Sequence, residues 1–123
     1  MGAMTSAESF PPVSGELLHE RDARGVHRLT LNSPETFNTL GESMLAALQA
    51  ALARVAQDDA ARVVVLAAHG KAFCAGHNLK EMRAQPDLAY YQKLFAQCTR
   101  MMMAIRQLPV PVIARVHWTN SFW

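Results

Sequence analysis

Only two cysteines, Cys74 and Cys98, occur in the 123 residues. They are too far apart for a Cys-x-x-Cys motif and too few for a disulfide framework, so free thiols in a reducing compartment are expected. No apolar run reaches the length of a membrane span. No Arg or Lys precedes Arg21, and "MGAMTSAESFPPVSG" lacks both a basic start and an apolar stretch. No secretory signal is therefore expected, and Glu8 argues against a transit peptide. The formal charge is +2 with no basic cluster, which leaves no footprint for nucleic acid. A cytoplasmic protein is the default expectation, with no nucleic-acid or membrane partner.

What is present fits one globular domain. Half the residues are hydrophobic and 18% are charged, enough apolar material for a modest core. Residues 1–14 read as a flexible tail. "ELLHERDARGVHRLTLN" reads as a β-hairpin that turns at Arg21 to Gly25. After the turn His27, Leu29 and Leu31 face one way, and Val26, Arg28 and Thr30 the other. "NSPET" is a loop by its turn residues.

A helix follows from about Thr39 to Ala56, because Leu40, Met44, Leu48, Ala51, Leu52 and Val55 recur at helical spacing. "RVVVLAA" does not alternate. Its run from Val63 to Leu66 predicts a strand buried on both faces, as in a parallel sheet. A short helix starts near Leu79 and ends before Pro86. Asp87 can cap a longer helix to about Gln107, with Leu88, Tyr91, Leu94, Phe95, Cys98, Met102, Ile105 and Leu108 as its apolar face. "MMM" reads as core filler. Pro109 and Pro111 then lead into a strand over "VIARV". The order ββ-α-β-α-α-β predicts an α/β layered fold.

The turn between the buried strand and the short helix carries the one chemical feature. Gly76 can take a positive φ at little cost. Asn78 is a good N-cap, and Glu81 stands at the position of a capping-box partner. The backbone N–H groups around His77 would then be orphan donors at the C-terminal end of a strand, where open α/β sheets place ligands. Donors aimed at one point can stabilise an oxyanion. The plain alternative is good turn chemistry and nothing more. His77 has no partners at metal-ligand spacing, so no metal site is expected. Cys74 has no base placed by the sequence, and Lys80 beside a turn is first of all a solvated charge.

"GKAFCAGHNLKEM" resembles the first signature of the enoyl-CoA hydratase/isomerase, or crotonase, superfamily. "LNSPETFNTL" is similar to that family's early loop, and "LPVPVIARVH" to the strand before its second signature. "GHNLKEM" followed by "MMMAIRQLPVPVIA" is most similar to the subgroup called enoyl-CoA hydratase domain-containing protein 3. The resemblance implies an α/β spiral of ββα units and an acyl-CoA thioester as substrate, with CoA part of that substrate and no separate cofactor. It implies that the His77 backbone N–H is the first oxyanion donor, with Gly76 setting the turn geometry. Thr39, Leu79 and Lys80 would contact the CoA moiety. The resemblance also implies a homotrimer or hexamer for the full-length family. Glu35 stands where some members carry a basic residue, Asn78 where Asp is common, and Thr39 where Ala is common.

The family continues past such a strand with a Gly-rich turn that gives the second donor, then with acid/base carboxylates. No Gly follows Gly76 in this sequence. The expectation is therefore the N-terminal part of a crotonase-like domain over 15–117, truncated after a strand Val112–Val116, with a non-family tail over 118–123. Such a chain is expected to be inactive alone. A non-catalytic acyl-CoA binder or assembly partner is the alternative, and an unrelated structural α/β domain a third reading.

Overall fold

The computed structural model describes residues 7–10, 15–74, 76 and 79–117. Five strands form one sheet in chain order: β1 (Ala7–Phe10), β2 (Leu17–Asp22), β3 (Val26–Leu31), β4 (Val63–Ala68) and β5 (Val112–Ala114). The first two pairings are antiparallel and the last two parallel. Among the described residues there are also three α-helices: α1 (Glu42–Ala56), α2 (Leu79–Ala84) and α3 (Leu88–Gln107). The unit β2-β3-α1 is the expected ββα element.

Part of the segment read as a flexible tail is ordered. Ala7–Phe10 pairs with β2 across Glu8–Arg21 and its neighbours. Backbone groups on the open edge of β2 take a ladder partner whatever its side-chain pattern, which is why composition did not announce it.

The hairpin forms as expected, in the register Leu18–Thr30 and Glu20–Arg28. His27, Leu29 and Leu31 are buried and Arg28 is exposed; Thr30 is buried as well. Under the hairpin runs a polar chain. His19 Nε2 and His27 Nδ1 are 2.9 Å apart, and His27 Nε2 lies 2.7 Å from Asp58 Oδ2. Arg21 donates to the same oxygen across 3.2 Å. Burial, with His27, Arg54 and Arg21 nearby, pushes His19 down to about 4. The bond from His27 is the main reason that Asp58 lies below the usual carboxylate range.

The parallel pairing of β3, β4 and β5 confirms the reading of "RVVVLAA". Burial on both faces does not hold throughout. Val64 and Ala67 are buried, whereas Val63, Val65, Leu66 and Ala68 are half-buried. β5 ends at Ala114, two residues short of the expected Val116, although Arg115 N–H still donates to the Leu66 carbonyl across 2.8 Å.

Helix α1 begins at Glu42, not Thr39. Phe37 and Asn38 adopt left-handed φ values of 55° and 54°, which no helix continues, and Gly41 is the N-cap. From there its buried face, Met44, Leu45, Ala47, Leu48, Ala51, Leu52 and Val55, keeps the predicted stripe except Leu40, which is half-buried and precedes the helix, and adds Leu45 and Ala47. Each large side chain so buried contributes about 1.5–3 kcal/mol. Against this face packs α3, capped by Asp87, whose carboxylate accepts from Ala89 N–H at 3.2 Å. Its buried residues are Tyr90, Leu94 and Met101. The expected face was centred differently: Leu88, Phe95 and Met102 are exposed, and Tyr91, Cys98, Ile105 and Leu108 are half-buried. Of the three consecutive methionines only Met101 is core; Met102 and Met103 are 55% and 42% exposed. An apolar run satisfies helical periodicity in more than one phase, so the contact with α1 chose the phase.

Candidate active site

Beyond the C-terminal end of β4 the chain turns through Gly70 to Gly76 and enters α2. Gly76 has φ +96°, a backbone that favours glycine. A Cβ there would meet nothing within 4 Å, so the conformation demands glycine and the space beside it is open. His77, the expected first donor, lies outside the described residues, as do Ala75 and Asn78. The helix begins at Leu79, as the sequence indicates; the Leu79 side chain is likewise outside the described part. Lys80 is exposed at the start of the same helix.

The loop carrying Thr39 comes to this turn. Leu40 N–H donates to the Gly76 carbonyl across 2.6 Å. Two devices hold that loop. The first is Asn38, which is fully buried. Its Oδ1 accepts from Ser33 N–H at 2.7 Å, and its Nδ2 donates to the carbonyls of His69 and Ala72 at 2.8 and 3.0 Å. One side chain thus ties the early loop to the segment after β4. Its signal was in the sequence, since Asn tolerates left-handed backbone better than most residues, but the partners are remote in the chain.

The second is Glu81. Its Oε1 accepts from Glu42 N–H at the start of α1, across 2.9 Å; the capping contact expected with Asn78 lies outside the described residues. The same oxygen accepts from the Tyr90 hydroxyl at 3.0 Å. Tyr91 also binds α2, its hydroxyl donating to the Met82 carbonyl at 3.1 Å. Glu35, on the 3-10 turn Pro34–Thr36, accepts from the Ser33 hydroxyl at 3.0 Å and is exposed.

Beside the turn lies a cavity of about 230 Å³ with a wholly apolar lining. Phe73 and Cys74, which lead into Gly76, form part of its wall, with Leu40, Leu66, Met102 and Ile105. Cys74 is half-buried, and its Sγ lies 3.5 Å from the Gly76 N–H. The site therefore joins an open turn, a loop at its side and an apolar hollow. Among the described residues no group of His, Cys, Asp and Glu is arranged to hold a metal, and no helix is long and apolar enough to cross a membrane.

Comparison with known proteins identifies the family. Residues 21–119 match the enoyl-CoA hydratase/isomerase family. Enoyl-CoA hydratase domain-containing protein 3, mitochondrial, of Xenopus laevis is 39% identical over 93 residues, covering 76% of this chain and 32% of that protein. The 1,2-epoxyphenylacetyl-CoA isomerase of Escherichia coli is 34% identical over 99 residues, 76% of this chain and 37% of that enzyme. Among solved structures, an enoyl-CoA hydratase of Mycobacterium smegmatis superposes with a TM-score of 0.82 at 62% identity, over 85% of this chain and 40% of that one. The human enoyl Coenzyme A hydratase domain-containing protein 3 gives 0.77 at 34% identity, over 84% and 40%. The chain thus spans about a third of the length of the curated relatives it matches. By sequence match and by fold, this chain belongs to the enoyl-CoA hydratase/isomerase family.

Proposed function

We propose that the chain supplies the first half of an acyl-CoA thioester site, in which the His77 backbone N–H polarises the thioester carbonyl and stabilises the enolate formed from it. The observation that carries this is the Gly76 turn, at +96° and open to space beside an apolar cavity. The carbonyl oxygen takes the backbone donor, and the hydrocarbon of the acyl group leaves water for the hollow beside Phe73 and Cys74. Thr39, Leu79 and Lys80 contact the CoA moiety, which is part of the substrate, and no separate cofactor is required. Fatty-acid metabolism is the context this chemistry fits. The reaction is hydration or double-bond isomerisation, in an assembly of three or six copies when the family fold is whole.

The chain alone is proposed to bind without turnover. Hydration also needs a base to activate water. Among the described residues no carboxylate oxygen comes within 4 Å of a Cβ placed on Gly76, and Glu81 accepts from Glu42 N–H and the Tyr90 hydroxyl. The same observation favours the second reading, a non-catalytic acyl-CoA binder. Calorimetry of the pure chain against an acyl-CoA and against free CoA tests both. Heat with the thioester and less with CoA is expected, with no loss of enoyl-thioester absorbance over hours. No heat at millimolar ligand would sink the binding proposal. Measurable turnover would overturn the claim of inactivity and support an enzyme complete in this chain.

A further inference from the structure

We propose that Glu81 is a positioning residue for the Gly76 turn: its carboxylate locks the short helix that follows the turn onto the start of α1. The relevance of this lock to ligand binding rests on the acyl-CoA reading above; the lock itself does not. Helix α2 has only six residues, too few to hold its own direction by local propensity. Its direction is set by what it touches. Oε1 of Glu81 takes two donors from two other helices, Glu42 N–H of α1 at 2.9 Å and the Tyr90 hydroxyl of α3 at 3.0 Å. Glu42 N–H is one of the orphan donors of α1, whose Gly41 N-cap provides no side chain to satisfy it. A carboxylate from another helix fills that role and meets the positive end of the α1 dipole.

The local sequence makes room for this. A Cβ on Gly41 would stand 2.7 Å from Glu81 Oε2, so glycine at the cap permits the close approach. Tyr90 is a durable donor: burial, with Glu81 and Glu42 adding to it, raises its hydroxyl to about 12, so it stays protonated at ordinary pH. Glu42 is held from the other side as well, its carbonyl accepting from Gln97 Nε2 at 3.0 Å. Directly before this knot lies Leu40, whose N–H holds the Gly76 carbonyl at 2.6 Å. The path from Glu81 to the turn therefore runs both along its own helix and through residues 40–42.

The test uses the full chain with Glu81→Ala, Glu81→Gln and Tyr90→Phe. Amide hydrogen exchange is read at Leu40 and, for reference, at Val55 near the far end of α1. Glu81→Ala is expected to speed exchange at Leu40 about 10-fold or more while Val55 keeps its rate, since loss of a local tie opens a local unit. It is expected to weaken acyl-CoA affinity about 10-fold, because a small misplacement of donors is costly. Glu81→Gln, which keeps an acceptor oxygen, should recover most of both effects, and Tyr90→Phe should show a smaller loss of each. An unchanged Leu40, or equal acceleration at Leu40 and Val55, would overturn the inference and leave Glu81 a general stabiliser. Should Glu81→Ala fail to fold, Glu81→Gln and Tyr90→Phe decide by the same two amides. Absence of acyl-CoA binding by the unaltered chain would defeat the functional reading alone, because exchange at Leu40 judges the lock without ligand.

Discussion

The Leu40 N–H and the Gly76 carbonyl meet across 2.6 Å and join the early loop to the turn after β4. That bond places the Thr39 segment at the side of the open turn, where Gly76 has its +96° backbone. Gly76→Ala meets no steric obstacle, so its effect isolates the backbone requirement. We expect a loss of about 1–3 kcal/mol in urea unfolding from the strain of an L residue at that φ, together with weaker acyl-CoA binding. Wild-type stability in this variant would show that the turn does not need glycine.

Asn38→Ala removes one acceptor and both donors of a fully buried side chain. It strands the Ser33 N–H and the carbonyls of His69 and Ala72. The expected cost is about 2–4 kcal/mol, since each buried polar group left unmade forfeits about 1–3 kcal/mol unless water enters. Chemical denaturation measures it. A change under 1 kcal/mol, within the range of a surface substitution, would show that the clip is dispensable.

Met101 and Met102 are neighbours in sequence with opposite roles. Met101 is 4% exposed and Met102 55% exposed. Met101→Ala should therefore cost about 2–5 kcal/mol and Met102→Ala less than about 1 kcal/mol. Thermal unfolding of the two variants side by side checks the phase of α3, and equal costs would contradict it.

The His19–His27–Asp58 chain predicts acid sensitivity. His19 is held near 4 in the fold against 6.5 unfolded. The unfolded chain therefore binds the proton first as pH falls. Stability from this group is complete above about 6.5, declines as pH falls from there toward 4, and levels off below. The loss over that window is on the order of 3 kcal/mol. Asp58, held low by its bond from His27, adds a loss at still lower pH as its carboxylate is protonated. In His19→Gln, which cannot titrate, the slope of the unfolding midpoint between pH 6.5 and 4 should flatten. A slope equal to that of the unaltered chain would remove His19 as its cause.

Local chemistry determined a good deal. The hairpin, the parallel strand at Val63–Ala68, the start of α2 at Leu79 and the Asp87 cap all follow from alternation, β-branched runs and capping residues, which act over a few residues. So does the positive φ of Gly76, because few other residues adopt it cheaply. The tertiary structure alone decided which helical phase of α3 is buried, that Ala7–Phe10 joins the sheet, and that α1 starts only at Glu42. It also decided the partners of Asn38 and Glu81. Each of those outcomes is a contact between segments far apart in the chain. A hydrogen-bonding group carries in its own residue type the need for a partner, but the fold supplies the partner's identity.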